Sequence, residues 1–230
     1  MTYDLHIHSC LSPCAEDEMT PSAIAGFAKL NGIGLIAVTD HNSAQNLPAA
    51  QAACAAYGVR LLPGIEVNTE EEIHLLCYFP TVAAALQMSD AIYQSLPELP
   101  YDRSIWGNQL VMDENDVVTA EVDKLLTLAC GLDLYAATAL CRDLGGVAVP
   151  AHVDRDSYSL LSVLGFAPED LPFPAFELHR PEHALAGLLA AGRMPEGREI
   201  LTSSDAHRLL DISEHPRVLA GDSCIWKLLK

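Results

Sequence analysis

Nine histidines fall along the chain, and most of them sit beside carboxylates at the ends of apolar runs. The groupings are His6 with His8, Asp40 with His41, Glu66 followed by His74, and Asp205 with His207, while His152 closes the run from Gly146 to Ala151. Side chains alternate from face to face along a strand, so the H-x-H at 6 and 8 sends both imidazoles to one side, where they can reach one cation. Neutral imidazole together with carboxylate suits zinc, iron and manganese, and a carboxylate can bridge two ions where a histidine cannot. A single histidine of this kind is ordinarily a core or surface residue. The repetition points instead to a site for several ions, assembled from many strands. Cys10 and Cys14, spaced C-x-x-x-C beside the H-x-H, are open to three readings: ligands, a redox pair, or packing residues.

Such residues need elements that deliver them to one place. Short aliphatic runs alternate with helical patterns. Thr20-Pro21 reads as an N-cap followed by proline at the first helical position, and Gly32 ends that helix. Residues 34–39 form a strand leading to Asp40-His41, an alanine-rich helix over about 47–57 ends at Gly58, and 59–67 form the next strand, carrying Glu66. His74 opens its run instead of closing it. A hairpin with its turn over Asn68 to Glu72 accommodates this, because a strand rising to Glu66 and one descending from His74 meet at the same rim. Residues 88–118 read as a short irregular insertion. Helices over about 120–130 and 133–144 follow, then the strand to His152, a proline-rich loop over 154–174, a strand at 175–178, a helix over 182–191 and a strand at 200–203. Ligands at the ends of successive strands in βα units are the pattern of an α/β barrel, whose loops converge on one face. An open sheet spreads its strand ends along a line. His6 and Asp205, nearly two hundred residues apart, can share a site if the sheet closes.

The 230 residues, half of them hydrophobic and 19% charged, fit one globular domain over 1–230 in the size range of a single barrel. Thirty-one acids against thirteen bases leave a net charge of −18. That balance leads to the expectation that no long nucleic acid is a partner, because a polyanion is held by a basic surface that displaces its counterions. A small phosphorylated substrate is still admitted, since bound ions bring positive charge that the formal count omits. Seven irregularly placed cysteines, no signal peptide ahead of the first strand and no apolar run of membrane-span length lead to the expectation of a reduced, cytoplasmic setting with no membrane partner.

Taken in order, Asp4-Leu5-His6-Ile7-His8-Ser9, Thr39-Asp40-His41-Asn42, Gly64-Ile65-Glu66, Pro150-Ala151-His152 and Ser204-Asp205-Ala206-His207 resemble the motifs of the PHP (polymerase and histidinol phosphatase) superfamily of metal-dependent phosphoesterases. The resemblance runs from the first strand to about residue 210. It implies a stand-alone phosphoesterase folded as an α/β protein, a distorted (β/α)7 barrel of the PHP type with a short irregular insertion around 88–118, holding two or three divalent ions (Zn2+, Mn2+ or Fe2+). By similarity, a first ion takes His6, His8, Glu66 and Asp205, a second shares Glu66 and adds His74 and His152, and a third uses His41 and His207. Family members often carry a further ligand in a Ser-Asp-Gly-like segment after the first motif. This chain has Ser12-Pro13-Cys14 there, so Cys14, Glu16 and Asp17 are the candidates for that place.

The chemistry expected of such a centre is hydrolysis of a phosphate ester by metal-bound hydroxide, since a cation lowers the pKa of bound water and paired ions hold the attacking and leaving oxygens. A small phosphomonoester, a nucleotide or a short oligonucleotide end would all suit it. Glu66, Asp205 and His207 are the expected catalytic residues, with Asp40 orienting imidazoles from behind. Arg155 and Arg180 follow strand ends and are expected to bind the substrate phosphate, a place that Arg208 also suits. His179, His183 and His215 are expected to lie outside the metal site. No G-x-S-x-G elbow and no P-loop is present. One rival is an amidohydrolase-type enzyme that cleaves a C–N bond, which often bridges its ions with a carboxylated lysine. Lys29, Lys124, Lys227 and Lys230 all lie away from the expected strand ends, which weakens this rival without removing it, since Glu66 could bridge instead. The other rival is a non-enzymatic metal-binding barrel, whose sign would be missing ligands, and nearly all are present.

Overall fold

The computed structural model describes residues 1–99, 101–212 and 216–229, so His215 lies outside the described residues. In chain order the elements are β1 (Thr2–Ile7), α1 (Pro21–Leu30), β2 (Leu35–Val38), α2 (Leu47–Tyr57), β3 (Arg60–Leu61), β4 (Gly64–Asn68), β5 (His74–Tyr78), α3 (Val82–Ser95), α4 (Arg103–Trp106), β6 (Leu110–Met112), β7 (Val118–Glu121), α5 (Leu134–Asp143), β8 (Val147–Pro150), α6 (Leu160–Val163), β9 (Ala175–Glu177), α7 (Pro181–Ala190), β10 (Glu199–Leu201) and β11 (Arg217–Val218). Local chemistry sets several of these boundaries. The Thr20 hydroxyl accepts from the Ala23 N–H at the start of α1, and Pro21 occupies its first turn. Gly58 ends α2 in the left-handed conformation, φ +68.

Seven strands follow one another around a ring: β1, β2, β4, β5, β8, β9 and β10. β1 pairs parallel with β2, and a single parallel bridge between His41 and Glu66 joins β2 to β4. β4, β5 and β8 pair antiparallel. The Val153 N–H donates to the Glu177 carbonyl at 2.9 Å, joining β8 to β9, and β9 pairs parallel with β10. The ring closes where the His8 N–H donates to the Ala206 carbonyl at 2.9 Å beside the Ile7–Ala206 bridge. The distortion of the barrel lies in the reversed strand β5 and in seams made of isolated bridges.

Alternation along the strands divides the apolar residues into two layers. Leu5, Leu35, Ala37, Leu76, Tyr78, Val149, Ala175 and Leu201 form an inner cluster, floored by Ile225 and Leu228 from a 3-10 turn at Cys224–Leu228. Ile36, Val38, Ile65, Val67, Leu75, Cys77 and Phe176 face outward against the helices. β1 breaks the alternation in a useful way. Between the pairs Asp4–Ile36 and Ile7–Val38 it carries one residue more than its partner, and so Leu5 is inside while Ile7 is outside. A bulge of this kind re-aims side chains, here bringing His6 and His8 to the inner side at the rim.

Three expectations require correction. The strand anticipated over 59–67 is interrupted at Leu62-Pro63, leaving β3 and β4 as separate pieces. The 88–118 insertion begins later, because α3 continues to Ser95, and it holds α4 and the β6/β7 hairpin. No helix forms over 120–130: β7 ends at Glu121 and the chain then runs irregularly. Side-chain amides from elsewhere take the backbone groups that a helix would have paired. Gln109 donates to the carbonyls of Val122 and Lys124 and accepts from the Leu126 N–H, Asn42 donates to those of Leu126 and Leu128, and Asn68 to that of Thr127. No described helix is long and apolar enough to cross a membrane.

Candidate active site

Glu66 stands at the centre of the rim, 1% exposed, carried inward by β4 while its neighbours Ile65 and Val67 pack outward. Its Oε1 lies 3.2 Å from His6 Nε2, 3.0 Å from His74 Nδ1 and 3.2 Å from His152 Nε2. Its Oε2 lies 3.3 Å from His8 Nε2 and 3.0 Å from His41 Nδ1. Asp205 Oδ1 is 3.2 Å from both His6 Nε2 and His8 Nε2, and the His207 ring stacks on that of His8 with centroids 4.3 Å apart. The hairpin expected around Asn68–Glu72 is present, with Asn68 facing His74. His152 and Asp205 reach inward through left-handed backbone, φ +29 and +53, which non-glycine residues adopt chiefly where the surroundings hold them there.

The donor set fits cations. His6 Nδ1 faces Glu177 Oε2 at 2.9 Å and His8 Nδ1 faces Ser12 Oγ at 3.0 Å. With those nitrogens occupied from behind, the two Nε2 atoms point at each other across 3.2 Å and at two carboxylates. Glu66 Oε2 and His41 Nδ1, buried 3.0 Å apart, meet without the geometry of a hydrogen bond. Ligand-type atoms converge within 4.8 Å in three groups: His6, His8 and Asp205; His41, Glu66 and His74; and His8, His41 and His207. A cation satisfies convergent imidazole and carboxylate lone pairs that protons satisfy only in part.

In the metal-free chain these groups perturb one another strongly. Burial opposes ionisation of Glu66, yet His74, His6 and His41 around it hold its carboxyl well below the usual range. Asp205 behaves likewise, burial being outweighed by His6 and His8. Burial works against protonation of His8, but its bonds to Asp205 and Glu66 push it up to about 9. His41 also reaches about 9, Glu66 overcoming burial and the nearby His8. Burial takes His74 and His207 down to about 4.

Glu177, 3% exposed at the end of β9, is the residue that sequence reasoning missed. Its Oε2 accepts from the His152 N–H at 3.0 Å and holds His6 Nδ1. A lone acid closing an apolar strand at the ligand rim was the available signal. Asp40 touches no imidazole: it accepts from the Ser9 N–H, the Ser9 hydroxyl and the Ser12 hydroxyl, and reaches His8 only through Ser12. Arg155 lies at the rim with Nη1 2.7 Å from Asp205 Oδ2. Arg180 does not join it: its backbone N–H is tied to Asp154 and its side chain is absent from the cavity wall. Arg208 pairs with Glu16, and Asp17 accepts from Asn108. Of the three candidates for the extra ligand, Cys14 alone lines the cavity. His179 and His183 lie apart from the cluster.

The ligands line a cavity of about 500 Å3, together with Leu125, Thr127, Leu128, Arg155, Tyr158 and Trp106. No lysine among the described residues lines it, which removes the residue that the C–N hydrolase reading would use as a bridge.

The family model described as PHP domain matches residues 4–146. The 5'-3' exoribonuclease of Haemophilus influenzae is 29% identical over 98 residues, covering 39% of this chain and 35% of that protein. The chain thus matches only about a third of that relative's length. The lesion-specific endonuclease PfuEndoQ of Pyrococcus furiosus has a similar fold, with TM-score 0.61 at 20% identity over 90% of this chain and 48% of its own. A structure described as an amidohydrolase from Chromobacterium violaceum, with bound sulfate and no metal, gives TM-score 0.63 at 22% identity over 99% and 95% of the two chains. These likenesses correct one expectation. The relative matched by sequence is named an exoribonuclease, so net charge does not exclude nucleic acid as a partner. Formal charge sums the whole surface, whereas a phosphate at a metal centre answers to local charge.

Proposed function

The chain belongs to the PHP domain family, and from that premise we propose that it is a metal-dependent phosphoesterase acting on nucleotides or nucleic-acid ends. The observation that carries this reading is Glu66, a buried carboxylate whose two oxygens face five imidazoles beneath an open cavity. Two or three divalent ions would be held by His6, His8, His41, Glu66, His74, His152, Asp205 and His207. Such ions supply Lewis acidity and lower the pKa of water toward neutrality.

The chain's own residues do the rest. Glu177 and Ser12 hold His6 and His8 from behind, so that each presents Nε2 to the centre. Glu66 offers one oxygen to each side of the cluster. Asp205 and His207 are proposed as catalytic with it, His207 being the more exposed. Arg155, partly exposed at the cavity, is placed to fork onto a phosphate. A cavity of about 500 Å3 is of the size that encloses one small ligand, which supports a terminal phosphate ester as the substrate. We propose further that residues 1–230 act as one domain. The seven free cysteines support a reducing, cytoplasmic setting.

The test is a panel of nucleoside monophosphates, 5'-phosphorylated oligoribonucleotides and sugar phosphates, assayed after reconstitution with Mn2+, Fe2+ or Zn2+. Turnover is expected with at least two ions per chain by mass spectrometry. Glu66→Gln should lower both metal content and rate by about two orders of magnitude or more. Inertness toward every phosphate ester with full metal content would overturn the proposal, and near-normal metal and rate in the Gln variant would remove Glu66 as bridge.

A further inference from the structure

Trp106 and Tyr158 are 51% and 46% exposed on two separate loops that line the same cavity. Large aromatic side chains are ordinarily tucked further in, and both of these are held out by fixed backbone. Trp106 ends α4, whose first turn is capped by Asp102. Behind it Gly107 has φ +96 and approaches the Pro13 backbone so closely that no side chain fits there. The Asn108 amide donates to Asp17 at 2.7 Å, and the Leu110 N–H to the Cys10 carbonyl at 2.9 Å. The insertion is therefore pinned to the loop that follows the H-x-H. Tyr158 sits at φ +52, a conformation costly for a bulky residue. Its carbonyl accepts from the His74 N–H at 3.0 Å, and its ring stacks on that of His74 with centroids 4.9 Å apart.

We propose that Trp106 and Tyr158 form a stacking subsite for the nucleobase next to the phosphate that is cleaved. This inference rests on the phosphoesterase reading and names the part of the substrate that its cavity selects. Among the described residues lining the cavity, Arg155 is the only lysine or arginine. A groove that tracks many phosphates is thus missing at the site, and affinity beyond the one phosphate must come from the neutral part of the substrate. Aromatic faces supply it for any base, because every base has a π-face. A cavity of about 500 Å3 is of the size that encloses one small ligand. The Leu125 and Leu128 side chains add apolar surface to the cavity, and stacking by itself tells a base from no base and not one base from another.

The test compares adenosine 5'-monophosphate with ribose 5-phosphate, two phosphomonoesters that differ in the base. The metal-loaded protein should favour the nucleotide in kcat/KM, and Trp106→Ala should shrink that preference about tenfold, mainly through KM. Trp106→Phe should restore most of it, and Tyr158→Phe should keep it. A Trp226→Phe background leaves Trp106 as the only indole. In that background the nucleotide should quench fluorescence saturably, and ribose 5-phosphate should not. Equal kcat/KM for the two esters, an unchanged preference in Trp106→Ala, or no quenching by the nucleotide would overturn the stacking subsite while leaving the phosphoesterase reading intact. Hydrolysis of neither ester nor of phosphorylated oligonucleotides would instead strike that reading, and the quenching titration would still decide whether a base stacks.

Discussion

His8 and His41 each stand near 9 in the metal-free chain because the carboxylates around them outweigh burial. Both are therefore protonated at pH 7, and an ion that takes their place must displace those protons. Against burial, Glu177, Asp205 and Glu66 raise His6 as well, so metal affinity is expected to rise from pH 6 through about 9, and calorimetry at pH 7 in buffers of different ionisation enthalpy should show proton release on binding. The stability of the metal-free chain follows the opposite course. A histidine whose folded pKa is raised contributes stability that is full below its unfolded value near 6.5 and is lost as pH rises through about 9. Thermal melts should show the metal-free form weaker at pH 9.5 than at pH 7. The eight proposed ligands were legible one by one, since each is a histidine or acid beside an apolar run. Glu177 was passed over, because the one signal it carries, an acid closing a short apolar strand, has no matching motif around it. It becomes visible only when β9 comes to lie behind His6.

At the scale of elements, the sequence carried those whose signals are local: the capped helix α1, the alanine-rich α2 with its terminal glycine, and the β4/β5 turn that brings Glu66 to His74. It misled where a remote side chain decides the conformation. Residues 122–128 have helical composition, yet Asn42, Asn68 and Gln109 capture their backbone groups. The bulge in β1 was equally hidden, since strict alternation would set His6 and His8 on the face opposite Leu5. Asn42→Ala leaves the carbonyls of Leu126 and Leu128 without that donor. It is expected to cost about 1–3 kcal/mol and to loosen the cavity wall formed by Leu125, Thr127 and Leu128. Hydrogen exchange should rise over 122–130 before it rises in β4 and β5. Equal protection throughout would show that the segment is held by something else.

On the scale of the molecule, closure was inferred from the distance between His6 and Asp205 along the chain, and the ring of strands supplies it. The inner layer is apolar at its floor and polar at its rim, so the two ends should fail independently. Ile225, fully buried in the floor, is expected to cost about 2–4 kcal/mol when replaced by alanine, seen as a lower Tm at unchanged metal stoichiometry. A loss of ions in Ile225→Ala would mean that floor and rim form one cooperative unit. Charge was the property least readable as function, because a total of −18 says nothing about how few residues meet the phosphate.

The pairing of His8 with Ala206 also sets a timetable for biosynthesis. The strand carrying His6 and His8 leaves the ribosome some two hundred residues ahead of Asp205 and His207, at roughly 5–20 residues per second in the cell. Until then His6 and His8 have no partner on the far side of the ring, and the slow step of folding is the meeting of segments distant in sequence. A nascent chain therefore spends seconds with half a centre, holding exposed imidazoles that can take up the wrong ion or none. Correct loading belongs to the period after the last ligand has emerged, when closure and ion uptake complete one another.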